Sequence, residues 1–259
     1  MRRLAIFLSL LLLTNFRLWA STEPVPEFCD LSGQTIPASP AYNLPIEENP
    51  TPFLHFYPLR TGASKGLILI LPGGAYHKLA MVHDGVNVAS DFNSLGYDAV
   101  ILAYRTNQGR DLPLKDAQTA LTLLQTRGTD WGLNVHALSI IGFSADGHLA
   151  AHLLHELGPQ SPFQNVFLVY PAYLNGTNGA ALDPVIVPPT PVSSRVCLMI
   201  GDQDSPGWIA GAQAYAKLLQ NSGCTVEFHL LPNLRHGFRL KNPTPPSPAW
   251  DFVNAFLAK

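Results

Sequence analysis

Residues 140–154 read IIGFSADGHLAAHLL, and the parsing of this stretch decides the fold. An apolar run of the kind that forms a buried strand ends at Gly142. Ser144 follows two residues later, and apolar positions at helical spacing begin at once. A serine at the apex of so short a strand-to-helix turn needs small neighbours, and its hydroxyl is thrown clear of the sheet as a nucleophile. The competing reading is a serine that only caps a helix, with Asp146 in the first turn, where the helix dipole favours a carboxylate by about 0.3–1 kcal/mol. What separates the two readings is whether a base, an orienting acid and donors for an oxyanion stand elsewhere in the chain.

Working outward, the runs FLHFY, GLILILPG, DAVILAY, ALSIIGF, NVFLVYP, RVCLMIG and TVEFHLL read as strands, several of them apolar at consecutive positions. Such strands are buried on both faces, as in a parallel sheet covered by helices. Between them HDGVNVASDFNSLG, LKDAQTALTLLQTRG, ADGHLAAHLLHELG and GWIAGAQAYAKLLQNSG carry helical periodicity, and SPAWDFVNAFLAK closes the chain as a further helix. The alternation predicts an α/β fold with a mostly parallel, doubly wound sheet, whose ligand site lies at the carboxyl ends of the strands.

Those ends carry the missing chemistry. After GLILIL comes PGGAYHKL, where Gly73, Gly74 and Ala75 leave backbone N–H groups accessible; Gly74 and Ala75 are the expected oxyanion donors, joined by Ala145 in the first helical turn. After RVCLMI the loop GDQDSPG offers Asp202 and Asp204, and after TVEFHLL the loop PNLRHGF offers His236. The order Ser144, Asp204, His236 is the one expected when a serine elbow sits in this kind of sheet. Each signal is weak alone; four of them, in order, at four strand ends, favour a serine hydrolase site.

With these residues in view, the chain resembles the alpha/beta-hydrolase superfamily, specifically small secreted carbohydrate esterases of the acetyl-xylan esterase and hormone-sensitive-lipase-like type. The likeness runs from about residue 53 to the end through LPGGAYHKLAMVHDG, SLGYDAVILAYR, LPLKDAQTALTLL, IIGFSADGHLAAHL, GDQD and LRHGF. It implies Ser144 as nucleophile, His236 as base, and Asp204 as acid in preference to Asp202, because the family's acid stands three residues after the glycine ending the strand. It also implies short acyl groups, acetyl on plant polysaccharides foremost. Pro72 and Ala75 replace a histidine and a third glycine common in relatives, a mild departure since the donors are backbone groups. Asp146 is the sharper departure: it occupies the last glycine position of G-x-S-x-G. The expectation is that Gly147 takes over the close helix–strand contact and Asp146 turns outward. A carboxylate facing the oxyanion would slow acyl transfer by orders of magnitude. A catalytically weak carbohydrate-binding relative is therefore the alternative from outside enzymes. Within enzymes the alternative is a prolyl-oligopeptidase-like serine peptidase, against which no propeller-sized segment precedes the core in this sequence.

Tyr76, His77 and His83 follow the oxyanion loop and are expected at the pocket mouth, with Tyr173 and Trp208 as platforms for a sugar ring. His148, His152 and His155 share a helix face. Zinc would require further converging ligands, so structural histidines are expected, and no metal or cofactor is assigned. Residues 171–194, rich in proline and glycine, read either as a loop partly covering the pocket or as a packed connector. NGT at 175–177 matches a glycosylation acceptor.

The 259 residues are 47% hydrophobic and 13% charged, enough for one sizeable core, and the net charge of −2 gives no reason to expect nucleic acid as partner. A small-molecule or oligosaccharide ester is the expected partner. Residues 1–20 read as a secretory signal peptide with Arg2 and Arg3 ahead of an apolar stretch, an uncleaved anchor being the alternative; a secreted or periplasmic protein with no integral span after cleavage follows. Residues 21–52 read as a Pro-rich leader lying over the surface, and 53–259 as the catalytic domain. Cys29, Cys197 and Cys224 match no metal motif; Cys197 and Cys224 are either bonded to each other or two buried small hydrophobes.

Overall fold

The computed structural model describes residues 25–176, 181–188, 192–241 and 247–259. The expected signal peptide lies outside these residues. An eight-stranded mixed sheet runs through the molecule in the order β1-β2-β4-β3-β5-β6-β7-β8. Its strands are β1 (Phe28–Asp30), β2 (Phe53–Tyr57), β3 (Leu67–Leu71), β4 (Asp98–Ala103), β5 (Leu138–Phe143), β6 (Phe163–Val169), β7 (Arg195–Gly201) and β8 (Val226–Leu231). β1 and β2 pair antiparallel and the remaining six run parallel. Among the described residues the five α-helices are α1 (Asn87–Ser94), α2 (Asp111–Arg127), α3 (Ala145–Leu157), α4 (Pro206–Asn221) and α5 (Pro248–Leu257).

The apolar runs become central strands for a simple reason. Every side chain of β3 (LILIL) is fully buried, and each such burial contributes about 1.5–3 kcal/mol. Right-handed crossovers then place the helices: β3 to β4 steps one way along the sheet, whereas β4 to β5, β5 to β6 and β7 to β8 step the other way. α1 therefore covers one face, and α2, α3 and α4 the opposite one. α5 joins α1, with Trp250 edge-on to Phe92 at 5.5 Å and Phe256 against Phe167 of β6 at 5.4 Å. The strand order reverses at β3, whose two neighbours are β4 and β5. A crevice opens at such a reversal, outside the carboxyl ends of the strands. The PGGAY loop after β3 and Ser144 after β5 both emerge there.

The segment before residue 53 does more than lie on the surface. β1 is an edge strand, with Phe28 and Cys29 buried. Ile46 exchanges backbone hydrogen bonds with Leu79, at 3.0 and 2.8 Å, and the Asn49 amide donates to the carbonyls of Ala103 and Tyr104 at 3.0 and 2.8 Å. Apolar and amide groups scattered among prolines thus fasten the loops that follow β3 and β4. All three cysteines are free and buried, and burial pushes the thiols of Cys29 and Cys197 up to about 12. No helix among the described residues is long and apolar enough to cross a membrane.

Candidate active site

Ser144 sits between β5 and α3 with φ 53° and ψ −122°, a conformation that costs a non-glycine residue about 1–3 kcal/mol and persists only where surrounding contacts impose it. Those contacts are visible. Its N–H donates to the Val169 carbonyl at 3.0 Å, and its carbonyl accepts from Gly147 and Ala172 at 3.0 and 2.9 Å. Two glycines make the turn fit: a Cβ on Gly142 would lie 2.1 Å from the Asp146 carbonyl oxygen, and one on Gly147 would lie 2.7 Å from Pro171 Cβ. Gly147 thus makes the close contact that a glycine at 146 would otherwise serve.

The strained turn aims Ser144 at His236. The hydroxyl donates to His236 Nε2 at 2.7 Å, and His236 Nδ1–H donates to Asp204 Oδ2 at 2.8 Å. The other oxygen, Asp204 Oδ1, accepts the Ser205 backbone N–H at 2.6 Å. The Asp204 side chain is sealed from solvent, while His236 is about one-third exposed at 31%, as an imidazole exchanging protons with a substrate must be. Asp202, the neighbouring carboxylate, accepts the Asn233 N–H at 2.8 Å and holds the β8 turn instead.

The PGGAY loop is equally constrained. Gly74 has φ 150°, and a Cβ there would lie 1.9 Å from the Lys78 carbonyl oxygen. Ala75 and Tyr76 follow with φ 59° and 64°, curling the backbone so that His77 and Lys78 both donate to the Gly74 carbonyl at 3.0 Å. A Cβ on Gly73 would lie 3.3 Å from Ser144 Cβ, so this loop lies directly against the nucleophile. Ala145, at the start of α3, brings a backbone N–H from a helix terminus, where such groups have no intrahelical partner.

Asp146 does not turn outward. It is fully buried, and its Oδ1 accepts a hydrogen bond of 2.6 Å from the Tyr104 hydroxyl. Oδ2 has no hydrogen-bond partner, so neither oxygen engages the N–H groups of Gly74, Ala75 or Ala145. Burial pushes the carboxyl well above the usual carboxylate range, opposed by the Tyr104 hydrogen bond and reinforced by the nearby Asp84 carboxylate. Burial thus favours the neutral carboxyl, which presents no charge to an oxyanion. The sequence pointed outward because solvation normally dominates a carboxylate; here burial works against the charged form.

A cavity of about 250 Å³ opens over Ser144 and His236, walled by Gly73, Gly74, His83, Asp84 and Tyr170. Asp84 and Tyr170 carry no sequence motif that singles them out, although the HDG step after the loop places Asp84 there. Asp84 Oδ1 accepts from the Tyr170 hydroxyl at 2.8 Å and from His83 Nδ1–H. That hydrogen bond raises the His83 imidazole above its ordinary value. A second cavity, of about 380 Å³, is walled by Arg110, Tyr173, Asn175, Ser205, Trp208 and two glycines. The Trp208 ring, in the wall of the second cavity, lies 4.5 Å from that of His236, in the wall of the first. Trp208 thus stands beside the His236 imidazole, with Tyr173 next to it at 6.1 Å.

Tyr76 and His77 line neither cavity. Tyr76 is buried and donates to His148 Nδ1 at 2.8 Å, and His148 Nε2–H in turn faces Asp183 at 3.3 Å. Burial lowers His148 to about 4, consistent with a neutral ring whose tautomer is set by these partners. His77 Nδ1–H donates to Asn107 Oδ1 at 2.7 Å, and Asn107 Nδ2 returns a bond to the His77 carbonyl at 3.0 Å, clamping two loops together. His152 faces Glu156 at 3.9 Å, and His155 Nδ1–H bonds the Val187 carbonyl. Residues 171–176 border the second cavity, while the turn Pro184–Ile186 packs on α3, so the connector has one part at the site and one part in the packing. Asn175 Nδ2 donates to the Gly207 carbonyl at 2.8 Å.

A family model described as BD-FAE matches residues 55–160, which run from the middle of β2 through the PGGAY loop and Ser144 to just past the end of α3. An acetylxylan esterase of Xylanibacter ruminicola is 29% identical over 98 residues, 38% of this chain and 20% of that protein. Endo-1,4-beta-xylanase B of Butyrivibrio fibrisolvens is 26% identical over 117 residues, 43% of this chain and 18% of that protein. The chain thus spans about a fifth of the length of these curated relatives. Among solved structures, an acetyl ester-xyloside bifunctional hydrolase from Caldicellulosiruptor lactoaceticus superposes with a TM-score of 0.67 at 25% identity, over 85% of this chain and 91% of that one. A Pyrobaculum calidifontis esterase shares the fold with a TM-score of 0.67 at 17% identity, over 92% of this chain and 86% of that one.

Proposed function

We propose that this chain, which has the alpha/beta-hydrolase fold and is related to acetyl-xylan esterases and carboxylesterases, is an exported serine esterase that removes short acyl groups, acetyl foremost, from carbohydrates. The observation that carries the reading is the unbroken line from Ser144 Oγ through His236 to Asp204, at 2.7 and 2.8 Å, with the serine held in a strained turn. In the proposed reaction Ser144 Oγ attacks the ester carbonyl carbon as its proton passes to His236 Nε2, and Asp204 orients and stabilises the imidazolium. The carbonyl oxygen takes up the negative charge facing the N–H groups of Gly74, Ala75 and Ala145. Collapse breaks the bond to the alcohol, which leaves with the proton from His236. Water then attacks the acyl-enzyme, giving its proton to His236, and the carboxylic acid departs as Ser144 regains its hydrogen.

Support for a short acyl group comes from the 250 Å³ cavity and its Asp84 wall, because an apolar chain would bury that carboxylate against hydrocarbon. Support for a carbohydrate comes from the names of the acetylxylan esterase and acetyl ester-xyloside hydrolase relatives and from the aromatic wall of Tyr173 and Trp208. The test is release of acetate from acetylated xylan alongside hydrolysis of p-nitrophenyl acetate. Ser144→Ala is expected to lower turnover at least about 10⁴-fold. An unchanged rate in that variant, or no hydrolysis of either substrate by the parent protein, overturns the reading.

A further inference from the structure

We infer that the second cavity selects a leaving alcohol bearing a carboxylate, a uronic-acid-containing saccharide, and that Arg110 is the residue that recognises it. The inference rests on the esterase reading above and names the alcohol side of the same site. The leaving oxygen must receive its proton from His236, so the alcohol lies on the imidazole side of the serine. The second cavity borders the imidazole through Trp208, whose ring lies 4.5 Å from that of His236.

Its wall has a definite chemistry. Tyr173 and Trp208 meet at 6.1 Å with their planes 81° apart, an aromatic corner for the C–H face of a sugar ring. Arg110 is the one charged side chain among the described residues that line it. The guanidinium lies 4.8 Å from the Tyr173 ring centre and 5.5 Å from that of Tyr76, so two tyrosine faces hold it in place. Its ion-pair partner among the described residues, Asp183, stands 3.5 Å from one terminal nitrogen and is shared with His148 and with the Val185 backbone N–H, which caps the turn Pro184–Ile186. Nε and the second terminal nitrogen keep their N–H groups for a ligand, in the planar fork that matches a carboxylate.

The position of Arg110 in the fold argues the same way. It is the residue from which α2 starts, where the helix dipole disfavours a cation, and its side chain makes no cap hydrogen bond. Helix stability does not explain an arginine there; the Asp183 ion pair and the two tyrosine rings hold it at the cavity wall, where it faces an incoming anion. The first cavity has no arginine or lysine among the described residues in its wall, and its Asp84 carboxylate is paired with His83, so Arg110 places the cationic fork on the second cavity alone.

The experiment measures kcat/KM on acetylated xylo-oligosaccharides of equal length with and without a uronic acid branch, with p-nitrophenyl acetate as the sugar-free reference. The parent protein is expected to favour the acidic oligosaccharide by about tenfold at low ionic strength, the size of one charge-assisted hydrogen bond, and to lose most of that preference in high salt. Arg110→Gln is expected to bring the ratio near one and Arg110→Lys to keep part of it. The ratio is read within each variant, so a general loss of folded protein does not mimic the effect. A ratio near one in the parent, or one unchanged in Arg110→Gln, overturns the inference while p-nitrophenyl acetate hydrolysis leaves the esterase reading standing. No hydrolysis of p-nitrophenyl acetate overturns the esterase reading and this inference with it.

Discussion

The loop after β7 and the first turn of α3 each place one aspartate close to the nucleophile, and in both the carboxyl is sealed from solvent. Asp204 receives two N–H donors, one from His236 and one from Ser205, at 2.8 and 2.6 Å. Asp146 receives one phenolic hydroxyl, from Tyr104, and its second oxygen has no partner. Burying a carboxylate is tolerable where its lone pairs are met and a cation forms beside it, and costly where they are not. The first region is therefore suited to catalysis through charge. In the second, burial favours the protonated form, a neutral packing group.

The largest effect expected from this contrast is on turnover. Asp204→Asn keeps the shape of the loop but removes the acceptor that fixes the His236 tautomer, and kcat is expected to fall about 10⁴-fold with little change in KM. Steady-state kinetics on p-nitrophenyl acetate check it. If Asp146→Asn costs as much turnover as Asp204→Asn, the two carboxyls are not used differently and the contrast collapses.

Next in size is Tyr104→Phe. Loss of the hydroxyl leaves a fully buried carboxyl with neither oxygen bonded, and unfolding free energy is expected to drop by about 1–3 kcal/mol. Denaturant titration measures this. Turnover at a temperature where the variant stays folded is expected to change only a few-fold, because Tyr104 lines neither cavity.

Much of this arrangement can be read in the linear sequence, for reasons that differ from element to element. LILIL and LSIIGF announce strands buried on both faces because hydrophobic runs of that length have few other uses, and the α3 periodicity follows from the turn at Ser144. His236 and Asp204 are legible because the sheet delivers successive strand ends to one side, so order along the chain becomes proximity in space. Asp84, Tyr170 and Arg110 are not legible in that way. They reach the cavities from irregular positions whose side-chain directions no periodicity encodes, Asp84 in a short π-helix over Met81–Val86, Tyr170 with φ 37° and Arg110 at a helix start. The stitching of residues 46 and 49 under the active-site loops is hidden for the same reason, since a proline-rich composition says that a segment is irregular and not what it touches. Asp146 misleads because sequence patterns treat a carboxylate as charged, whereas its protonation state here is set by burial.

That protonation state supplies the finest probe. In the unfolded chain Asp146 ionises near its ordinary value of 3.8, whereas in the fold its pKa is raised. Above that ordinary value the unfolded state releases a proton that the native state retains, so native stability falls as pH rises towards the folded pKa; below it both states are protonated and the penalty vanishes. Asp146→Asn removes the penalty and keeps an acceptor for Tyr104. Its melting temperature, nearly matching the parent protein's at pH 4, is expected to pull ahead between pH 4.5 and 5.5, with a stability gain approaching about 1.4 kcal/mol per pH unit. A difference that stays flat across this range would mean that the buried carboxyl is ionised in the fold. In that case the same variant would also gain turnover, because an anion one helical residue beyond Ala145 would have opposed the oxyanion; a neutral group predicts less than about a threefold change, and the two measurements must agree.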